Sequence, residues 1–378
     1  MDDNGLTKTY VLQLTLEGPC QIGSGAKLTK KEYYYDRNYN RVTFYDPSKL
    51  MECVWEQNQI DAYESYMLNP RQALFSFFRD VGGAGPYNRA KLYTVDCGDA
   101  FGPYGTYLPY IATHIRNGLE QVYLPGSSVK GMLRTAVTVA SVLNKIPRTR
   151  KPVVPGKPYF KGMCNSATQT MTYLDTELYH TLGLLGPEYK QAKNAVNSVF
   201  RGISISDSEP IGNENLVLCH KMDLDVYGEP SEVRLVRECI RPGVKIRVPV
   251  TFDASLAQFL TPERMQKAIS IFDDWYTQYV FSHYENVHKP VLTSHLFLGG
   301  GSGFFSKTVT GPWMQDEALH YITALLTAGF HGKNLHDEDR YGISPHTLKY
   351  TLVNGKPVPF GLLSLIHISE PTRHSLIS

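Results

Sequence analysis

The chain has 378 residues, 38 Lys and Arg against 36 Asp and Glu for a net charge of +2, 42% hydrophobic and 20% charged positions. This is the composition of a globular protein able to bury a substantial core, and no apolar run approaches the roughly twenty residues that cross a bilayer, which excludes a helical membrane protein. Cys20, Cys53, Cys97, Cys164, Cys219 and Cys239 form no Cys-x-x-Cys pair, which excludes a zinc ribbon or a dithiol redox site. They read as reduced thiols in a cytoplasm, and the opening MDDNGLTKTY has no signal-peptide pattern.

Tyr10, Leu12, Leu14 and Leu16 alternate with more polar positions and predict a first strand. Gly18, Gly23 and Gly25 then predict a loop, kept positive by Lys27, Lys30 and Lys31. A hairpin is expected over 32–45, turning at Arg37 to Asn40, and Asp46 with Pro47 signals the next helix; Asn69 with Pro70 repeats that signal. Residues 81–110, rich in Gly, Pro and Tyr, read as loop with one strand from Ala90 to Cys97. The segment LPGSSVKGMLRTA, Leu124 to Ala136, joins a strand end to a glycine-serine turn and a helix. Val129, Met132, Leu133, Ala136, Val137, Ala140 and Leu143 give that helix its buried face.

Residues 146–162 are proline-rich and basic and predict a mobile surface projection; helices resume near Leu174 and from Glu188 to Phe200. The period then changes, and 202–208, 216–226, 232–240 and 244–252 predict a second sheet. Pro262 opens a helix reaching about Tyr284, and a strand from Ser294 to Leu298 leads into GGGSGFFSK. Two strand-rich halves, each with a glycine loop and a long helix, predict an α+β chain of tandem βαββαβ modules, 1–200 and 201–363. Ser364 to Ser378 resembles translated adapter or vector read-through and is set apart from the fold.

Lys130 and Arg134 put positive charge at a helix N-terminus, where unpaired N–H groups already favour an anion. Gly131 in the first turn costs about 1 kcal/mol against Ala, a loss best explained where another backbone comes close. Between Glu120 and Asp175 there is no acidic residue, while Lys130, Arg134, Lys145, Arg148, Arg150, Lys151, Lys157 and Lys161 fall inside. Concentrated positive charge is what a polyanion-binding surface needs. An ordinary strand-to-helix connection with Ser127 or Ser128 as N-cap is the competing reading.

Gly299, Gly300, Gly301 and Gly303 strip side-chain bulk from one turn, and Lys307 follows. A nucleotide P-loop is excluded because Met132 stands where the lysine after Gly126 and Gly131 would be, and a dinucleotide fingerprint because position 304 is Phe. Catalytic signals are weak. His283 with His288, and His331 with His336, are five apart, which does not place both on one helical face. Asp223 and Asp225 share a strand face, the HDED run from His336 to Asp339 reads as a solvated turn, and no Gly-x-Ser-x-Gly elbow is present. No catalytic residue, metal site or cofactor is assigned.

Together, YLPGSSVKGMLRTA, QIGSGAKLTKKEYYYD, the SDSEP and RECIRPG segments and LFLGGGSGFFSKT resemble the RAMP superfamily of CRISPR proteins, over nearly all of residues 1–363. The chain is similar within it to the head-end subunit of the type III-A (Csm) interference complex. The resemblance implies tandem ferredoxin-like (RRM-like) RAMP modules with helical and basic loop insertions. It implies a non-catalytic subunit that caps the backbone filament at the 3′ side of the guide RNA (crRNA), in antiviral defence. Its partners would be the guide RNA, the adjacent RAMP backbone subunit and nucleases recruited from outside for guide 3′ maturation, with no membrane. Carried onto this sequence, the RNA-binding positions are Gly23, Ser24, Gly25 and Lys27; Gly126, Ser127, Ser128, Lys130, Gly131 and Arg134; and Gly299, Gly300, Gly301, Gly303 and Lys307. Two other readings stand beside it: an endoribonuclease cutting repeat RNA through His114 or His295, and a scaffold whose glycine loops touch only protein.

Overall fold

The computed structural model describes residues 7–101, 110–145, 150–155, 159–185, 193–285, 287, 294–330 and 338–369. The first strands are β1 (Thr7–Leu16), β2 (Gly23–Leu28), β3 (Tyr33–Asp36), β4 (Arg41–Tyr45), β5 (Lys91–Asp96) and β6 (Tyr110–His114). After them come β7 (Ile203–Ile205), β8 (Leu216–Asp225), β9 (Pro230–Ile240), β10 (Lys245–Asp253), β11 (His295–Phe297), β12 (Thr347–Val353), β13 (Lys356–Pro359) and β14 (Leu362–Ser369). The helices are α1 (Pro47–Glu56), α2 (Ile60–Leu68), α3 (Leu74–Asp80), α4 (Gly126–Leu143) and α5 (Phe160–Tyr179). A single turn α6 (Ala254–Ala257) precedes α7 (Pro262–Tyr279), α8 (Thr310–Met314), α9 (Ala318–Phe330) and α10 (Glu338–Tyr341).

One sheet has five strands in the order β11-β14-β1-β10-β7. Setting β11 aside as an added edge, the chain order β1, α4, β7, β10, α7, β14 is β-α-β-β-α-β, and the spatial order β14-β1-β10-β7 reads 4-1-3-2. That is a ferredoxin-like module assembled across the whole length of the chain. Leu12, Leu14 and Leu16 of β1 and Ile246, Val248 and Val250 of β10 face the same core as Val129, Leu133 and Ala136 of α4. Helices α4 and α7 pack against each other above it.

The second sheet has nine strands, with β2-β6-β9-β8-β5-β4-β3 as its path and the β12–β13 hairpin joined through β8. The α+β class with tandem ferredoxin-like modules is therefore as expected. The separate second sheet expected from 202–252 is not formed. β7 and β10 join β1, whereas β8 and β9 join β2 to β6. Short alternating strands specify a buried face but not a partner.

Several local expectations hold. The β3–β4 hairpin pairs Asp36 with Arg41 and turns with Asn40 at φ 49°. Asp46 caps α1 by accepting from the amides of Ser48 and Lys49. Others need correction. The glycine-rich segment after β1 is not all loop, because Gly23–Leu28 is an exposed edge strand on β6. Asn69 closes α2 instead of opening a helix, and its side chain accepts from Arg71 N in a turn.

α5 begins at Phe160, not near Leu174: Thr168, Thr172 and Thr176 each return a hydroxyl hydrogen bond to the carbonyl four residues back. Of the expected helix from Glu188 to Phe200, the described part is two short 3₁₀ turns: Asn194 caps the first by accepting from Val196 N, and Asn197 accepts from Leu184 N. The long helix from Pro262 ends at Tyr279, with a 3₁₀ turn to His283.

In the basic segment, Pro152 is buried and Lys151 donates to Met314 O at 3.2 Å, so this part packs on α8 instead of projecting; 146–149 and 156–158 lie outside the described residues. The tail set apart from the fold contributes to it. Ser364 and Leu365 pair with Thr15 and Leu14, and after a register shift between Gln13 and Leu14 the pairing of β14 runs on to Ser369. Residues 370–378, His288, His331, His336 and Asp337 lie outside the described residues.

Candidate functional site

The start of α4 is occupied by the chain itself. Gly126 N donates to Asp207 Oδ1 at 2.8 Å, so the anion that a helix N-terminus favours is already supplied. A Cβ on Gly126 would stand 2.1 Å from Ile205 O, so glycine is required there by close packing against the end of β7. The cap residue is Pro125 with no side-chain hydrogen bond, so neither Ser127 nor Ser128 serves as N-cap; Ser127 is exposed and Ser128 half-buried. Lys130 turns inward and donates to Ile203 O at 2.7 Å, and burial lowers its pKa. Gly131 is exposed, and a Cβ there would meet nothing within 4 Å. Its carbonyl accepts from Thr135 Oγ1 at 3.0 Å, a contact that does not require glycine.

The late glycine turn is built differently. Gly299, Gly301 and Gly303 have φ of 83°, 83° and 92°, a region that side chains rarely enter. Gly299 lies so near Gln21 that a Cβ would be 2.2 Å from its carbonyl oxygen, and Gly300 N donates to that oxygen at 2.6 Å. Gln21 is fully buried, and its side chain ties the corner together. Its amide donates to Ala112 O at 2.7 Å and Thr113 O at 3.2 Å, while its carbonyl accepts from Arg237 Nη1.

The Arg237 guanidinium thus lies along the turn. Its Nη1 would be 2.8 Å from a Cβ on Gly300, and its buried Nε has no hydrogen-bond partner among the described residues. Next to Gly303 runs Lys349, whose ammonium is 2.5 Å from Asp223 Oδ2; Lys221 is 3.6 Å from the other oxygen of the same carboxylate. Burial lowers the Lys221 pKa; Asp223 raises it, and the charges of Lys349 and Arg237 lower it further. Lys221 and Lys349 thus share Asp223, and with Arg237 along the turn they form three mutually repelling cations. Sequence analysis missed Gln21, Lys221, Arg237 and Lys349, which are scattered along the chain.

On its other side the turn leads to Lys307, which lines an open cleft of about 670 Å³ between α4, α5 and α9. Arg134 lines the same cleft, so the helix cluster and the glycine turn do meet there. Arg134 is not a bare cation: it pairs with Asp175 and stacks 5.0 Å from the Phe200 ring centre, and His180 Nε2 is 3.4 Å from the other Asp175 oxygen. Lys193, Thr135, Thr168 and Thr172 add further polar walls. Lys307 keeps much of its area open, and the atoms packed around its ammonium push its pKa down. Such a cation gains from an arriving anion.

The early cluster continues from Gln21 on an edge strand, and Thr113 is bonded to both. Residues Gly23, Ser24, Gly25 and Lys27 are all exposed on β2, where Ser24 Oγ meets Thr113 Oγ1 at 2.6 Å and Gly25 has φ 90°. The two histidines considered for acid-base work are held inside. His114 is buried, its Nδ1 is 3.0 Å from Ile115 O, and burial pushes its pKa down to about 4. His295 is buried between Asp273, at 3.1 Å from Nδ1, and Glu17, at 3.3 Å from Nε2.

A family model described as "RAMP superfamily" matches residues 109–306, a span that holds both Pro125–Arg134 and the glycine turn. The protein named "CRISPR system Cms protein Csm5" of Mycobacterium tuberculosis (strain CDC 1551 / Oshkosh) is 28% identical over 379 residues, covering 93% of this chain and 95% of the relative. Its namesake in Enterococcus italicus is 25% identical, covering 86% and 87%. A chain of the cryo-EM structure of a Csm-crRNA-target RNA ternary complex in a type III-A CRISPR-Cas system superposes with a TM-score of 0.66 at 18% identity, covering 94% of this chain and all of that one. The crystal structure of T. onnurineus Csm5 gives 0.61 at 18% identity, covering 93% and 100%. These two likenesses show a shared fold.

Proposed function

Since the chain belongs to the RAMP superfamily, we propose that it is a non-catalytic RNA-binding subunit of a type III-A CRISPR effector complex, working in the cytoplasm in antiviral defence. It grips the guide RNA by its backbone, caps the filament of RAMP subunits at the guide's 3′ side and is needed for guide 3′ maturation by recruited nucleases. Relatives named Csm5 and the fold shared with a chain of a Csm-crRNA-target RNA complex support the assembly. The observation that carries the RNA-binding reading is the bare turn Gly299–Gly303, set between Arg237, Lys221 and Lys349 on one side and the Lys307 cleft on the other. Main-chain amides and cations so arranged hold phosphates without reading bases. The engagement of His114 and His295 inside the protein speaks against the endoribonuclease reading.

The test is salt dependence of guide RNA binding by the purified chain. Each neutralised phosphate contributes about 0.7 to the log-log slope for single strands. Lys221→Gln and Lys307→Gln should each lower the slope by about 0.7, equally for unrelated RNA sequences. Slopes unmoved by either change, or loss confined to one base sequence, would refute the reading. Guide 3′ ends measured in complexes with and without this chain test the capping role, and labelled repeat RNA should stay intact with or without divalent metal.

A further inference from the structure

At the far edge of the nine-stranded sheet from β2, a second cavity of about 390 Å³ is lined by Tyr34, Tyr35, Asp36, Arg37, Asn38 and Phe75. Its floor is consecutive residues of β3, the last strand on that side of the sheet path, so the cavity opens onto a strand edge that has no further strand beside it among the described residues. Its wall is aromatic. Phe75 is 47% exposed, and its ring centre is 6.0 Å from that of Tyr34 with the planes 32° apart. At the hairpin end, one Asp36 oxygen accepts from the amides of Asn38 and Tyr39, and the Arg37 side chain adds positive charge.

We propose that this cavity holds one unpaired nucleobase of single-stranded RNA, stacked on Phe75 and Tyr34. The proposal adds a second contact to the RNA-binding reading above and rests on it. A nucleobase is flat, presents a face to an aromatic ring, and carries donors and acceptors in its own plane. A strand edge offers amide hydrogens and carbonyl oxygens in one plane beside that ring. An added peptide strand fits less well. β3 has only four residues, and its beginning is blocked where Leu74 N donates to Lys30 O and Ala73 closes the cavity. Base-aromatic stacking tolerates any sequence, so the cavity adds affinity without specificity.

The experiment compares two oligomers of equal length on the full chain, one of ordinary single-stranded RNA and one of abasic ribose-phosphate. Phe75→Ala should weaken binding of the base-bearing oligomer about tenfold, the loss of one stacked base. Binding of the abasic oligomer should not change, and Phe75→Tyr should restore the loss. Phe75 is half exposed, and unchanged thermal unfolding of Phe75→Ala confirms an intact fold. Equal loss for both oligomers, or no loss for either, overturns the base site while the backbone grip stands. Failure of the unaltered chain to bind either oligomer overturns both. A preference of the cavity for an extended peptide, seen as competition that Phe75→Ala abolishes while RNA binding persists, also overturns it.

Discussion

Replacing Gly299 by Ala puts the strongest demand on the glycine turn. At φ 83° an L side chain costs about 1–2 kcal/mol. The new Cβ would lie 2.2 Å from Gln21 O, inside any real contact distance, so the turn must move off the strand end. Overpacking of this kind costs about 1–3 kcal/mol, and the Gly300 N–H bond to the same oxygen, worth about 1 kcal/mol net, goes with it. The expected loss is about 3–5 kcal/mol after allowing for partial relaxation. Gly303→Ala is the control. Its φ of 92° carries the same backbone strain, but the nearest atom to its Cβ is Lys349 Cγ at 3.9 Å, an ordinary contact, so about 1–2 kcal/mol is expected. Urea unfolding of both variants gives the comparison through the shift in midpoint. Equal losses within about 0.5 kcal/mol would refute the reasoning that Gln21 dictates the first glycine by contact.

Asp175→Asn should release Arg134 into the cleft: guide RNA binding by fluorescence anisotropy should tighten several-fold and gain up to about 0.7 in salt slope. The pair is about one-third exposed at each end, so stability should change by less than about 1 kcal/mol. Weaker RNA binding would mean that Asp175 orients Arg134 instead of competing for it. Two histidines set a pH dependence of opposite sign. For His295, burial works against the charged form, but the hydrogen bond and charge of Asp273 and the charge of Glu17 outweigh it and raise the pKa above 6.5. Its stabilisation is complete below about pH 6.5 and is lost as pH rises through the raised value. For His114, burial lowers the pKa to about 4, so its contribution is present above about pH 6.5 and is lost as pH falls toward 4. Urea midpoints from pH 4 to 8.5 should therefore peak near the ordinary histidine range. His295→Gln should flatten the alkaline limb alone, and an unchanged limb would refute the assignment.

What could be read from the sequence was what neighbours in the chain decide. The α4 face repeats over a few turns and is buried where expected except at Leu143, which is half-buried, and Asp46 with Pro47 starts α1 as its chemistry requires. The ferredoxin-like order was not legible at the level of partners. β1 pairs with β10 and β14, which are reached only after long insertions, and every strand involved carries the same alternating pattern. The charges failed in the same way. A stretch with no acidic residue between 120 and 175 looked like an open cationic field, yet Asp207 reaches the α4 N-terminus and Asp175 reaches Arg134. Conversely, Lys221, Arg237 and Lys349 are separated in sequence and meet only because β8, β9 and β12 belong to one sheet beside the turn.

Glycines divide by the same logic. Gly126 and Gly299 are fixed by backbone of this chain pressing on them, whereas Gly131 and Gly303 stand free of such pressure. Among the described residues nothing presses on Gly131, which lies three residues before Arg134 on the helix that walls the cleft. In the proposed reading, the mark of the RNA-facing surface is a glycine on which no described backbone presses, Gly131, more than the density of lysines.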